Sequence, residues 1–357
     1  MTVVVSGHPD GTLRAWAVED GGLLAQRAGH DGRVTAIATG DLSGTPCAFS
    51  AGWDGTVRTW RLPQLTPSGP ALAVESGTGF SAVATCSRQG RAVVAAAALD
   101  LLHLWDPAEG VVLRVLEGHA NEVALAEVGE RVVVACGGVE GGIVVKELMT
   151  DQVVARIPGA HQGEVGALAI TRLRGRPMLV SGGARDGRIL RSDLLTGMPL
   201  GPPSIGHHGP LDAPGRIWTV AAGELAGQAV AVSSGWDGEL WVWDLTTGER
   251  VGKPLDDYLG EVHTVRFVEV NGGPGLAAGG EEEPALRVWD LRRRTPSRVI
   301  PTGSGISAMA VATALRGCRG LPRAGGGDRC VVTHLCGDGP QARRATASGR
   351  TAAATRR

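Results

Sequence analysis

A histidine, a serine and an aspartate at His30, Ser50 and Asp54 are the residue types of a nucleophile, its base and the carboxylate that orients the base. Trp60 follows Asp54, and the same offsets return at Ser233, Asp237 and Trp243, with His207 or His208 upstream. Partial sets stand at Ser6, Asp10 and Trp16 and at His161 and Asp186. One active site has no use for copies along the chain, whereas polar side chains that satisfy turns recur wherever the turn recurs. The repetition reads as structural. Other chemistry has as little support: there is no G-x-x-x-x-G-K-[ST] loop, no H-E-x-x-H, and no G-x-S-x-G turn between strand and helix. Carboxylates gather at Glu281 to Glu283 and at Asp256-Asp257, in expected loops where solvation gives no means of separating an acid from a base. Cys318, Cys330 and Cys336, with His334 nearby, match no standard zinc spacing. No metal, cofactor or catalysis is expected.

The elements that hold these residues repeat as well. Seven times, at intervals of 41 to 51 residues, an apolar run ends in a turn and is answered by a short alternating strand. The anchors are Trp16, Trp60, Trp105, Lys146, Ser192, Trp243 and Trp289. Segments such as DGTLRAW, DGTVRTW and DGELWVW combine an Asp-Gly turn with two-residue alternation, the pattern of a hairpin leading into a half-buried strand. The second repeat spells out the unit: Val34 to Thr39, Pro46 to Ala51, Thr56 to Trp60 and a fourth run, Ala71 to Glu75. Such a four-stranded antiparallel sheet cannot bury both faces alone, so copies must stack. The expected fold is all-β, a seven-bladed β-propeller of four-stranded antiparallel blades. The chain starts in a second-strand sequence, VVVSGHPDG, so Ile306 to Ala312 is expected to pair beside Val3 to Ser6 and close the ring.

Gly29, His30, Ser50, Asp54 and Trp60, and the GWDGELWVWD stretch from Gly235 to Asp244, give the chain a resemblance to WD-repeat propellers over roughly residues 1 to 313. The resemblance implies a hydrogen-bonded chain from His through Ser and Asp to Trp, worth having when every member is satisfied. It falls in full on His30, Ser50, Asp54 and Trp60, and on Ser233, Asp237 and Trp243 with one of the two upstream histidines. The first repeat has no histidine near Gly303. The third has Leu99 at the Asp position; the fourth keeps His119 but has Glu140 and Lys146. The fifth carries Ser192 in place of Trp, and the seventh Glu283 in place of Asp.

Composition narrows the setting. Hydrophobic residues at 43% suffice for a core, while no stretch of about 18 uncharged apolar residues and no basic, apolar leader appears. A soluble, cytoplasmic, monomeric protein with no membrane contact is expected, with Cys47, Cys86 and Cys136 as free thiols inside strands. Residues 314-357 are rich in Arg, Gly and Ala and read as a mostly disordered tail behind a 1-313 propeller. The tail holds nine Arg against Asp328 and Asp338, net +7, leaving about −8 on the propeller from a whole-chain charge of −1. Such a tail could bind nucleic acid through counterion release, but it has no aromatic for stacking, and this reading is not favoured. Within it, CVVTHLCGDG echoes the opening strand and turn, so the chain reads as a piece of a longer propeller protein. Basic charge is almost wholly Arg, with Lys only at 146 and 253; this points to a GC-rich gene and an expected bacterial, actinobacterial-like origin.

Surface recognition is the function that remains. By the resemblance, the residue before the turn Asp lies on one rim and contacts partners, which singles out Pro9, Trp53, Arg185 and Trp236. Trp and Arg dominate binding hot spots, so the expected function is a non-enzymatic scaffold for protein or peptide partners. One rival is a regulatory or sensor propeller cut from a larger bacterial signalling kinase or NTPase. Another is a propeller enzyme with a central-channel site, for which the largely apolar inner strands offer only His263, Arg266 and Glu127.

Overall fold

The computed structural model describes residues 1–74, 79–88, 91–98, 101–117, 120–209, 215–255 and 260–313. Glu75, Leu99, His119, Asp256, Asp257 and the whole 314–357 segment, with its three cysteines and His334, lie outside the described residues. Seven antiparallel sheets follow one another in chain order. Their first strands are Ala308–Thr313, Val34–Leu42, Ala82–Arg88, Glu122–Val128, Val165–Leu173, Ile217–Leu225 and Thr264–Val270. Each neighbours the next and the last returns to the first, so they line the inside of a ring. We number the blades 1 to 7 in that order.

Closure comes from the two ends of the described fold. Thr2–Gly7 pairs with Thr12–Ala17 on one side and with Ala308–Thr313 on the other, in register from Thr2↔Thr313 to Gly7↔Ala308. The strand starts two residues later than the sequence suggests, because Ile306 and Ser307 still bond to the turns around them through Gly280 O and Gly7 O.

Middle strands such as Arg91–Ala98 and Thr2–Gly7 are nearly continuous apolar runs because both faces are covered by neighbouring blades. The core is divided between the blades. Blades 1 and 2, for example, share Val3, Val5, Leu13, Ile37, Ala48 and Trp60, and each of the Val, Leu and Ile side chains, fully buried, contributes about 1.5–3 kcal/mol. Hydroxyls pin the inner strands together. Thr35 Oγ1 donates to Phe80 O at 2.7 Å, Thr85 Oγ1 to Thr39 O at 2.9 Å, Thr39 Oγ1 to Val311 O at 2.7 Å and Ser307 Oγ to Val34 O at 2.7 Å.

Outer strands depart most from expectation. In blade 2 the expected Ala71 to Glu75 run is broken into Thr66–Pro67 and Leu72–Ala73, since Pro63, Pro67 and Pro70 lack the N–H a ladder needs. Blade 6 has three strands, its outer edge reduced to single bridges at Trp243↔Arg250 and Leu240↔Leu255. Among the described residues, no helix is long and apolar enough to cross a membrane.

Candidate functional site

The second strand of each blade ends in a turn that feeds the third, and this geometry assembles the polar chains. In blade 2, Trp60 Nε1 donates to Ser50 Oγ at 2.8 Å, Ser50 Oγ lies 2.7 Å from His30 Nε2, and His30 Nδ1 lies 2.9 Å from Asp54 Oδ1. These partners fix the tautomer with the proton on Nδ1. Blade 6 repeats the arrangement with Trp243, Ser233, His207 and Asp237 at 2.8, 2.7 and 2.8 Å. His207 is the member, while His208 offers only its backbone N–H to Asp237. Blade 5 joins His161, Ser181 and Asp186 without a tryptophan. The hydrogen bonds hold Asp54, Asp186 and Asp237 below the ordinary carboxylate range against the opposing effect of burial. The Ser50 and Ser233 hydroxyls thus sit beneath their indoles and are 0% exposed, and Ser181 is 2% exposed, so no substrate carbonyl can reach them.

Blade 1 holds a residue that the spacing argument missed. Trp16 Nε1 donates to Ser6 Oγ at 2.9 Å, and Ser6 Oγ lies 2.9 Å from Nε2 of His8, whose Nδ1 lies 2.8 Å from Gly305 O. The histidine absent near Gly303 is supplied from inside the blade's own turn. Its signal is legible once known: SGHPD places histidine where SAGWD has Gly52 and SSGWD has Gly235. A Cβ on Gly52 would stand 2.4 Å from His30 Nδ1, and one on Gly235 2.5 Å from His207 Nδ1. One position or the other can carry the imidazole, not both.

The rim lies just beyond these turns. Trp53 is 52% exposed and Trp236 48%, and Pro9 and Arg185 are exposed at the matching turns. Blade 4 adds Val139, 54% exposed, at the place that precedes Glu140 and Gly141; an isolated valine in a turn carries no sequence signal for contact. The Arg33 guanidinium sits 5.8 Å from the Trp53 ring. Toward the channel, Arg216 lies 4.1 Å over Trp218, and Trp218 is 4.8 Å from the His263 ring. Glu281 pairs with Arg33, and Glu283 with Arg287 at 2.6 Å, so these acids form ion pairs and not an acid and base couple.

Inside the ring, Arg266 is buried and donates to Val265 O at 2.7 Å; burial lowers it to about 9, opposed by the Glu122 carboxylate. Glu127 lines a cavity at the far end of the channel, about 1020 Å³, together with Arg172 and Glu224. The three channel candidates do not converge: His263 belongs to the rim side with Glu261 at 3.1 Å. Among the described residues, no group of three or more His, Cys, Asp or Glu is placed to hold a metal ion.

Comparisons with known proteins agree with this geometry. The profile of "WD domain, G-beta repeat" matches residues 21–61, the span that carries His30, Ser50, Asp54 and Trp60. Human "Angio-associated migratory cell protein" is 24% identical over 330 residues, covering 75% of this chain and 69% of that protein. Mouse "NACHT domain- and WD repeat-containing protein 1" is 27% identical over 300 residues, 81% of this chain but 18% of that protein. The "Periodic tryptophan protein 2 homolog" of Dictyostelium discoideum is 29% identical over 122 residues, 34% of this chain and 13% of that protein. The chain thus spans a small part of two of these relatives. Among solved structures, the computationally designed Ika8 protein aligns over 94% of this chain and 93% of its own, at TM-score 0.59 and 26% identity. U3-55K aligns over 78% and 84%, at TM-score 0.61 and 19% identity, which speaks for the fold alone. These relatives are eukaryotic, and they overturn the expected bacterial, actinobacterial-like origin. Arg-for-Lys usage follows the base composition of a gene and carries no ancestry. Sheet order and closure make the chain a seven-bladed propeller, and its residues 21–61 are similar to the WD domain, G-beta repeat.

Proposed function

We propose that the ring displays one rigid rim to a protein or peptide partner, with Trp53, Trp236, Arg185 and Pro9, joined by Val139, as its contact residues. The observation that carries this reading is the pair of half-exposed tryptophans on equivalent turns of different blades, each next to an aspartate locked by a buried histidine. Exposed indoles are costly to leave in water and make contact surfaces. Their turns are already ordered, so little conformational entropy is lost on binding.

A Trp53→Ala, Trp236→Ala double variant should lose at least tenfold in partner capture while its melting temperature stays within about 2 °C of the parent. Crosslinking and pull-down with both rings, side by side, measures this; equal capture would remove the rim from the reading.

A second reading has its own support. The alignment to 18% of a NACHT domain- and WD repeat-containing protein favours a propeller that regulates a larger polypeptide. Sequencing the DNA on either side of this frame tests it, since a contiguous NTPase-like frame would place the rim's partner in the same chain.

A further inference from the structure

Blade 4 carries Lys146 as the penultimate residue of its third strand, Ile143–Glu147, where blades 1, 2, 3, 6 and 7 carry Trp16, Trp60, Trp105, Trp243 and Trp289. The register makes the equivalence: Lys146 faces Val134 as Trp60 faces Ala48 and Trp243 faces Ala231. Those indoles lie against the preceding blade, Trp60 with Leu13 of blade 1 and Trp243 with Val180 and Ile189 of blade 5. Lys146 instead reaches past the slot, its Nζ donating to Glu117 O at 3.0 Å and pairing with Asp151 Oδ1 at 2.9 Å.

What is left between blades 3 and 4 is a cavity of about 350 Å³ whose walls include Leu102, Leu116, Cys136, Val144, Lys146 and Arg156. Leu102 holds in blade 3 the place of Leu13 in blade 1. An independent observation shows that the slot is open. Ser6, Ser50 and Ser233 are 0% exposed under their indoles and Ser181 is 2% exposed, yet Cys136, at the same position, is only partly buried. His119, which by sequence stands where His30 does, lies outside the described residues.

We propose that this slot is a binding site for an indole ring, presented by a small molecule or by a tryptophan side chain. The fold itself argues for the occupant, since the same place in five other blades is filled by the chain's own indole. Leu102, Leu116 and Val144 offer apolar walls, and the volume lies within the range of small-molecule sites. Arg156 supplies a cation for the ring face, as Arg250 does 5.6 Å from the Trp243 ring in blade 6. The Cys136 thiol is a weak acceptor for the indole N–H. Its apolar surroundings raise that thiol above its usual value, so it stays protonated and the binding is non-covalent.

Isothermal titration of the full chain with indole, and separately with N-acetyl-tryptophanamide, tests the site. Indole should bind one to one with Kd on the order of 1 mM or tighter and raise the melting temperature. Binding of both probes fits a partner's side chain as the source, and binding of indole alone fits a free small molecule. Lys146→Trp, which fills the slot with its own indole, should weaken binding at least tenfold, whereas Lys146→Ala should keep it. Should Lys146→Trp not fold, Leu116→Phe narrows the same slot from blade 3 and should weaken binding likewise. No binding to the parent, or equal binding after the slot is filled or narrowed, would overturn the proposal.

Discussion

His8 shows how much one side chain can carry. It is 0% exposed, and burial, with the Arg14 guanidinium adding to it, lowers its pKa from 6.5 to about 4. The folded value is below the unfolded one, so on acidification the unfolded chain takes up the proton first. Stability should therefore be full above about pH 6.5 and fall toward pH 4, by at most about 1.4 kcal/mol per pH unit. His30, lowered mainly by burial, acts with the same sign. Urea titrations between pH 7 and pH 4.5 measure the slope, and His8→Gln should flatten it. An unchanged slope would mean that His8 is not the titrating group. Trp289 is the converse case: its indole is buried, yet Nε1 has no hydrogen-bond partner among the described residues. Its strand faces Leu276 as Trp16 faces Val4, which puts Ala278 where blade 1 has Ser6. Ala278→Ser should give that N–H an acceptor and stabilise the fold by about 1 kcal/mol, read as a higher urea midpoint with unchanged m-value.

At the scale of elements, legibility followed burial. Third strands were readable because Asp-Gly turns and strict alternation are forced by one face against a neighbour, as in Thr56–Arg61 with its alternating burial. Outer strands were not, because Leu23–Ala28 is exposed almost throughout and exposed positions accept any residue. The polar chains of blades 2 and 6 were legible through the WD-repeat resemblance that their offsets carry, with His207 and His208 left as alternatives, whereas His8 was hidden because the spacing rule looks upstream for a histidine that here sits inside the turn. The WD-repeat resemblance singled out Trp53 and Trp236 by their place before the turn Asp, and both are half-exposed; Val139, equally exposed, stands at the matching turn of blade 4 with no residue-type signal of its own. The slot beside Lys146 was announced in the sequence only as a missing tryptophan; what occupies the gap is a matter of packing.

At the scale of the whole molecule, the ring is as stable as its seam. Met309 is fully buried between blades 7 and 1 with Val4, Trp16 and Ile306. Met309→Ala should cost about 2 to 5 kcal/mol, and because the closing strand is loosened first, amides of Thr2–Gly7 should exchange ahead of those in blade 4. Hydrogen exchange resolved by peptide checks the order, and uniform loss of protection around the ring would show that the seam is not the weak point.

The same seam has a consequence for synthesis. Gly7 accepts its hydrogen bond from Ser307, 300 residues later, and a ribosome adding about 5–20 residues per second needs roughly 15 to 60 s to make that stretch. For all that time Thr2–Gly7 is a finished strand with one bare edge, apolar on both faces. Two nascent chains on one messenger can each present it, so exchange of Thr2–Gly7 between sister chains is the misassembly that this long-range seam invites.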